Sequence, residues 1–585
     1  MRIESVVRVI ALVSALAAIA PSGPPPLPPR IDWACALLPG WGRVFGAPAA
    51  APESTELVSV SAPDGVTVDR DGILEKDRRL RESGWDGPPV LLVLHASAED
   101  KAAATESAVP CHASPGSDGR VTVHAVAEPS GSWAHAEAEW RTRFAARSDL
   151  AAAARIGLAL ATAGTYRGED LAVVERRLRA QGRLLPVRDL ADEARFRAHS
   201  HLFAEPSAAS FVRFLRARGK PVTFDGAEAL EHEWLSSLGP DPSGSAGPPR
   251  PVPFQRGVCL AHTYDIHTGY LSARAAATVR RLRDEANVRW ISITPFGYPV
   301  AKDRPEIRPR EHTEDAIGLR AESDDSIAAM TRAARALGVG VLVAPHLWAH
   351  GFWCGEIAMT NDADWAAFFE NYGRFIFHHA EVARRAGADV FCVGKELRGT
   401  TRARPERWRA LVEDVRRVFP GPVVYAANWG DEFETLPFFD ALDAAGLNCY
   451  APLAGEGVEP TEETLRAAAE RAALKAEAVS RKSGRPVILT EVGLPAHPLA
   501  AREPWKDPPD DRVDEALQAR AYRAIMAAFA DRPWCAGLYW WKVFTDPRAN
   551  DRRRNGFPPV GREAEKVLRE VYGRERGAPV AAPPR

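Results

Sequence analysis

Two glutamates, Glu396 and Glu491, each end a run of apolar residues, where a charged side chain is costly. A carboxylate in such surroundings must be paired, hydrogen-bonded or functional. Two carboxyl groups held about 5–5.5 Å apart can cleave a glycosidic bond, one protonating the leaving oxygen and the other attacking the anomeric carbon. The pair therefore predicts hydrolysis of a glycosidic bond. The rival interpretation is a structural ion pair with Lys395, Arg398 or Lys542.

Other polar and aromatic residues end the neighbouring apolar runs, where they could line the same cleft. The candidates for substrate binding are Tyr264, His346, Trp348, Lys395, Asn428, Trp429, Tyr450, Trp540, Trp541 and Lys542. Aromatic faces suit sugar stacking, but packing is the rival interpretation for Trp348 and Trp429. No metal site is predicted, because His346 and His350 have no third ligand at a suitable spacing. No cofactor is expected.

A barrel would bring these positions together. Beyond residue 253, short apolar segments alternate with amphipathic helices eight times. The segments are RGVCLAHTYD, VRWISITPFGYP, VGVLVAPHLWAHG, ADVFCVGKELRG, GPVVYAANW, AAGLNCYAPL, RPVILTEVGLP and CAGLYWWKVFTDP. Near-continuous apolar strands indicate a parallel sheet buried on both faces. We predict an α/β chain whose residues 254–573 form a (β/α)8 TIM barrel, with its active site at the carboxyl ends of the strands.

An open, doubly wound sheet is the alternative to this barrel. That fold needs a glycine-rich turn after its first strand. The first segment ends instead in LAHT, residues 260–263. The sequence therefore favours the closed barrel.

Four motifs of this half, GKEL, YAANW, LNCYAPL and LTEVG, resemble those of clan A glycoside hydrolases and, more closely, of family 113. The resemblance extends from about Arg256 to Tyr572. It implies a TIM barrel associated with β-1,4-mannan hydrolysis, with Glu396 as acid/base and Glu491 as nucleophile. It also implies that the hydroxyl of Tyr450 donates to the nucleophile.

The same resemblance assigns several binding residues. Trp540 or Trp541 matches the tryptophan that floors the sugar subsite, and Asn428 and Trp429 match a pair that lines the cleft. Lys395 departs from the clan pattern, because an asparagine that binds the sugar 2-hydroxyl usually precedes the acid/base. The charge of a lysine would lower the pKa of the neighbouring acid and alter substrate preference.

In the first half, strand-like apolar runs are followed by segments with helical periodicity. This pattern predicts a separate α+β accessory domain over residues 56–238. A Gly/Pro/Ser-rich linker, residues 239–253, follows it. The domain is faintly similar to gluzincin peptidases. The stretch around His135 lacks the second histidine of their zinc motif, so we interpret it as an accessory or degenerate module.

The N-terminus predicts export. An apolar run, Val9–Ala20, ends in small residues, so residues 1–20 fit a signal peptide or an uncleaved anchor. Residues 21–55 are a proline-rich linker, and residues 574–585 are expected to form a disordered tail. The formal net charge of -2 gives no electrostatic basis for nucleic-acid binding. We expect a secreted or periplasmic protein that reaches a membrane only if residues 1–20 stay uncleaved.

Two functions remain open from these residues. The first is a retaining glycoside hydrolase that cleaves a β-linked polysaccharide or oligosaccharide. The second is a non-catalytic carbohydrate-binding or cell-envelope scaffold with a degenerate barrel, which Lys395 favours.

Overall fold

The computed structural model describes residues 53–54, 58–63, 90–105, 111–115, 120–126, 150–239, 249–263, 265–309, 323–552 and 554–574. The predicted signal segment, His135 and Tyr264 lie outside the described residues, as do nearly all of residues 21–55 and 574–585.

The first half begins with a five-stranded sheet. Its elements are β1 (Glu53–Ser54), β2 (Val58–Ser61), β3 (Val90–His95), α1 (Ala98–Thr105), β4 (Cys111–Pro115) and β5 (Val121–Val126). The strand order is β1-β2-β3-β5-β4, with β3 parallel to both of its neighbours. The side chains of β3 alternate between buried and half-buried, as the apolar run PVLLVLHA predicts.

A group of helices follows, which we call the helical module (residues 152–237). Its elements are α2 (Ala152–Ala163), β6 (Thr165–Tyr166), β7 (Glu169–Asp170), α3 (Leu171–Ala180), α4 (Val187–Ala191), α5 (Glu193–Ala198), α6 (His201–Ala217) and α7 (Glu231–Ser237). Asp170 and Ser200 cap α3 and α6 by accepting backbone N–H bonds.

The second half is a closed barrel of eight parallel strands. They are β8 (Gln255–Ala261), β9 (Trp290–Ile293), β12 (Gly340–Val343), β14 (Val390–Lys395), β15 (Val423–Asn428), β16 (Ala444–Cys449), β17 (Val487–Val492) and β18 (Cys535–Phe544). Inward-facing side chains fill the barrel, among them Cys259, Leu342, Cys392, Val424 and Ile488. The predicted (β/α)8 TIM barrel is therefore confirmed.

Amphipathic helices surround these strands. They are α8 (Ala273–Ala286), α9 (Asp324–Ala336), α10 (Asp362–Ala386), α11 (Arg398–Ala403), α12 (Pro405–Val418), α13 (Asp431–Thr435), α14 (Glu462–Ser483), α15 (Glu515–Phe529), α16 (Pro547–Arg552) and α17 (Glu563–Tyr572). Three short strands, β10 (Phe296–Pro299), β11 (Ile307–Pro309) and β13 (His346–Leu347), form a small sheet beyond the ends of β9 and β12. That small sheet forms one side of the barrel mouth.

The helical module packs directly on the barrel helices. Its buried residues and those of the barrel form one continuous hydrophobic core. Across this contact, Glu169 forms ion pairs with Arg384 and Arg385 of α10. The module and the barrel are therefore joined by both apolar and charged contacts.

One buried group in this contact, His201, Asp324 and His378, has the side-chain types of a metal site. Asp324 is 2.7 Å from His378 Nε2, and the guanidinium of Arg167 is 3.3 Å from His201 Nε2. Burial and the charge of Arg167 lower the pKa of His201 to about 3. A cation in contact with one of the three groups opposes a second cation there, so we interpret the group as a hydrogen-bonded network.

Cys259, Cys354, Cys392 and Cys449 are free thiols in the described part of the chain. In the part of the chain that the structure describes, no helix combines the length and apolar character needed to cross a bilayer.

Candidate active site

Glu396 lies directly after β14 at the barrel mouth and has a left-handed backbone, with φ of +55°. Two neutral donors contact its carboxylate: Asn448 Nδ2 is 2.9 Å from Oε1, and Trp353 Nε1 is 3.0 Å from Oε2. The nearby side chain of Asn428 also lowers the pKa of Glu396. The carboxyl group is therefore fixed in the pocket by neutral groups.

Glu491 lies in β17, directly beside Asn448 of β16 in the register of the sheet. The hydroxyl of Tyr450 donates to Oε2 at 3.0 Å, and the ammonium of Lys395 contacts Oε1. Asn448 is paired with Glu491 across the two adjacent strands, and its side chain donates to Glu396. The two glutamates therefore share one pocket. The predicted contact between Tyr450 and Glu491 is confirmed.

The two glutamates have opposite electrostatic surroundings. Burial and the negative charge of Glu491 raise the pKa of Glu396, and the bonds from Asn448 and Trp353 offset this only in part. Glu491, in contrast, contacts an ammonium and a hydroxyl donor. The surroundings of Glu396 thus favour its neutral form, whereas the carboxyl group of Glu491 lies against a cation.

Lys395 is buried beside Glu491, with 2% of its side chain exposed. Burial opposes its charge, but the attraction of Glu491 outweighs burial, so the pKa of Lys395 is raised. The predicted rival for Glu491, an ion pair with Lys395, is therefore present. Arg398 instead lies near Asp431, and Lys542 lies over the ring of Trp541.

The two adjacent tryptophans of β18 point in opposite directions. Trp540 is fully buried and stacks on Tyr522 of α15, with ring centroids 3.6 Å apart. Trp541 packs against the residues that fill the barrel, and the ammonium groups of Lys395 and Lys542 lie over its ring. The prediction that Trp540 binds substrate is wrong, because a strand sends successive side chains to opposite faces. Trp541 is the tryptophan at the pocket.

Two further candidates lie on the small sheet at the mouth. Burial and the charge of Lys395 hold the pKa of His346 well below its usual value, so its imidazole is neutral. Trp348 is 51% exposed and meets Phe296 edge to face. The exposed ring of Trp348 is available to an extended ligand that lies across the mouth.

Trp429 directly follows Asn428 and stacks on Trp505, with ring centroids 5.6 Å apart. Trp505 is 43% exposed and belongs to the loop between β17 and α15. This loop has no strand or helix pattern, so the sequence carried no signal for Trp505.

Three residues at the pocket were missed as site residues by the sequence analysis: Asn448, Trp353 and Glu432. Asn448 lies within the apolar run LNCYAPL, and Trp353 lies in the loop that follows β13. Glu432 lies on the short helix α13, where a glutamate is ordinary. A polar residue inside an apolar strand was the one available signal, and it pointed to Asn448.

This arrangement suits acid-assisted cleavage of an acetal. Proton donation requires a carboxyl group that remains neutral, and attack on the anomeric carbon requires one that remains charged. A carboxyl group with a raised pKa and a second carboxyl group in contact with an ammonium lie in one buried pocket at the carboxyl ends of barrel strands. The fold and the pocket together define the class of retaining glycoside hydrolases.

Comparison with known proteins identifies the family. A family model described as Glycoside Hydrolase Family 113 matches residues 261–556, just over half of the chain. The chain therefore belongs to glycoside hydrolase family 113. No curated protein matches it.

Similar solved structures include a GH113 β-1,4-mannanase complex, which is 21% identical over 55% of this chain and 100% of that chain, with a TM-score of 0.48. They also include the GH113 β-mannanase AaManA from Alicyclobacillus acidocaldarius in complex with ManMIm. That chain is 26% identical over 55% of this chain and 98% of its own length, with a TM-score of 0.47.

Proposed function

We propose that this chain hydrolyses β-1,4-linked mannan, with Glu396 as acid/base and Glu491 as nucleophile. The observation that supports these roles is the electrostatic contrast between the two carboxyl groups. Neutral donors surround Glu396, whose pKa is raised, while the Lys395 ammonium and the Tyr450 hydroxyl contact Glu491. The family supports the choice of mannan, since family 113 resemblance implies β-1,4-mannan as substrate.

The reaction would proceed in two displacements. Glu491 attacks the anomeric carbon while Glu396 protonates the departing glycosidic oxygen, which leaves a glycosyl ester on Glu491. Glu396, now ionised, removes a proton from water, and the water oxygen attacks the anomeric carbon, which breaks its bond to Glu491 and releases the carboxylate. Tyr450 donates to the carboxylate that becomes the leaving group of the second step.

A substrate panel tests this proposal. The purified chain is incubated with β-mannan, β-glucan and β-galactan, and release of reducing sugar is measured. We expect β-mannan to be cleaved fastest, with the first product in the β-configuration by NMR. A different preferred glycan would contradict the mannan assignment and leave the roles of the glutamates open.

Variants test the roles. Glu491→Ala should lose nearly all activity, and azide should rescue it by forming an α-glycosyl azide, because azide then attacks the face that Glu491 occupied. Glu462→Ala, on an exposed helix start, is the control and should match the wild type. Rescue that gives a β-azide would reverse the assignment.

The buried ion pair between Lys395 and Glu491 favours a second candidate function, glycan binding without turnover. A carboxylate held by an ammonium is a weaker nucleophile than a free one. The scaffold function predicts glycan binding by calorimetry, no hydrolysis across the panel, and unchanged affinity in Glu491→Gln. Hydrolysis of any β-glycan by the wild type would exclude it.

We also propose that residues 1–20 export the chain, because a polymeric glycan would be met outside the cytoplasm. Intact-mass measurement of protein recovered from the periplasm and the medium tests this. Loss of about 17–20 N-terminal residues is expected for a cleaved signal. Full-length protein retained in the membrane fraction would indicate an anchor instead.

A further inference from the structure

Glu432 is a buried carboxylate behind the pocket that the two-displacement mechanism does not use. It lies on α13, and 2% of its surface is exposed. Three donors converge on it: the hydroxyls of Tyr425 at 2.8 Å and Thr401 at 3.2 Å, and the backbone N–H of Asn428 at 2.7 Å. Burial of a carboxylate is costly, and the hydrogen bonds offset that cost only in part, so its position requires an explanation.

The first of these contacts leads to the acid/base. The hydroxyl of Tyr425 donates to Glu432 and accepts a bond from the backbone N–H of Leu397 at 2.8 Å. Leu397 directly follows Glu396, whose φ of +55° is unfavourable for a residue with a β-carbon. On the other side, the N–H of Glu396 donates to Ala426 O at 2.9 Å. Both peptide groups that flank Glu396 are thus tied to β15.

The contact between Glu432 and Asn428 forms a second connection from Glu432 towards Glu396. Glu432 Oε2 accepts from the N–H of Asn428, whose side chain lies near Glu396 and lowers its pKa. One carboxylate therefore holds the backbone that follows the acid/base and the backbone of a residue whose side chain lies beside it. Non-glycine residues in the left-handed region are strained and persist only where the surroundings fix them.

We propose that Glu432 is a positioning residue that fixes Glu396 in its left-handed conformation through Tyr425 and Asn428. This inference rests on the proposed role of Glu396 as acid/base. Among the described residues, the hydrogen bonds of Glu432 lead towards Glu396 and not to Glu491, so we infer an effect on proton transfer. Its loss should impair steps that need the acid/base and spare steps that do not.

Glu432→Gln is the test variant. Tyr425 and the Asn428 N–H donate to different oxygens of Glu432, and a glutamine keeps only one of these two atoms as an acceptor. Tyr425→Phe is the second variant, because it breaks the link to Leu397 while leaving Glu432 in place. Glu434→Gln, on the exposed side of the same helix, is the matched control.

The readout compares two substrates. In a mannooligosaccharide the departing sugar oxygen needs a proton from the acid. In 2,4-dinitrophenyl β-mannoside the dinitrophenolate departs without one. Misplacement of a catalytic group by 1 Å can cost about 10²-fold in rate. We expect kcat/KM to fall about 10²-fold on the oligosaccharides and only a few-fold on the activated substrate.

Azide supplies a second readout, since it attacks the glycosyl ester without a general base. We expect it to raise kcat of Glu432→Gln and Tyr425→Phe on the activated substrate, and to leave Glu434→Gln unchanged. A parallel loss on both substrates with no azide effect, or wild-type behaviour of both variants, would overturn the proposal. If the wild type cleaves no β-mannoside, the mannan assignment fails, and the same comparison is made with an aryl β-glycoside that it does cleave.

Discussion

The Lys395 ammonium and the Glu491 carboxylate form an ion pair at the barrel mouth, with 2% and 9% of their side chains exposed. Two charges at this depth have lost most of their hydration, so each depends on the other. The pair also brings a cation to a position where the clan usually has an asparagine. Lys395 is thus positioned to influence both the stability of the fold and the charge of Glu491.

Removal of one partner should destabilise the protein strongly. Lys395→Met leaves a buried carboxylate unpaired, and we expect the free energy of unfolding to fall by about 3–5 kcal/mol. Urea denaturation measures this. The exposed pair Lys475–Glu434 is the control, and Lys475→Met should cost less than about 1 kcal/mol. In Lys395→Met/Glu491→Gln the loss should be smaller than the sum of the two single losses, and additive losses would contradict coupling.

Tyr450→Phe should slow the reaction without disrupting the fold. It removes the 3.0 Å hydrogen bond to Glu491 Oε2. Hydrogen bonds to charged groups contribute about 1.5–3 kcal/mol, so kcat/KM should fall roughly 10- to 100-fold. Tyr166→Phe is the control, because the hydroxyl of Tyr166 donates to the carbonyl of His201 in the helical module. Equal losses in both variants would show that Tyr450 acts through stability.

The pH dependence should reflect Glu396. Burial and the charge of Glu491 raise its pKa above the usual 4.5, so it stays protonated, and active as an acid, to a higher pH. Activity should be lost as the pH rises through that raised pKa, which gives the alkaline limb of kcat/KM. In Glu396→Ala, assayed with 2,4-dinitrophenyl β-mannoside, this limb should vanish. If it persists, another group controls it.

The two tryptophans of β18 should respond differently to truncation. Trp540→Ala removes a fully buried ring, and we expect the free energy of unfolding to fall by about 3–5 kcal/mol. Trp541→Ala removes a ring at the pocket, and we expect a higher KM with a smaller loss of stability. Thermal melts and Michaelis–Menten kinetics measure the two effects. The reverse pattern would show that Trp540 faces the substrate.

Much of the barrel and its principal glutamates could be predicted from the sequence. Every barrel strand is a short apolar run, because a strand covered on both faces needs apolar side chains throughout. Glu396, Glu491 and Tyr450 each end or follow such a run, so their positions at the mouth follow from the fold class. These signals are local in the chain, so they can be recognised in the sequence alone.

The directions of individual side chains could not be predicted in this way. On β14, Cys392 faces the barrel interior, so strict alternation would point Lys395 outward. The register of β14 against β15 shifts between these two residues, and Lys395 reaches Glu491. Similar shifts occur in β17 and β18 around Glu491 and Trp541. Bulges of this kind reverse the inward and outward positions and leave no clear trace in composition.

The sequence alone determined a closed α/β barrel with two carboxylates at the ends of its fourth and seventh strands, because hydrophobic periodicity is a local property. The tertiary structure alone decided which groups contact those carboxylates. Lys395 contacts Glu491, and Asn448 and Trp353 donate to Glu396. Glu432 accepts hydrogen bonds from Tyr425 and from the N–H of Asn428. These contacts join residues far apart in the chain. They depend on strand register and loop placement, which the whole fold sets.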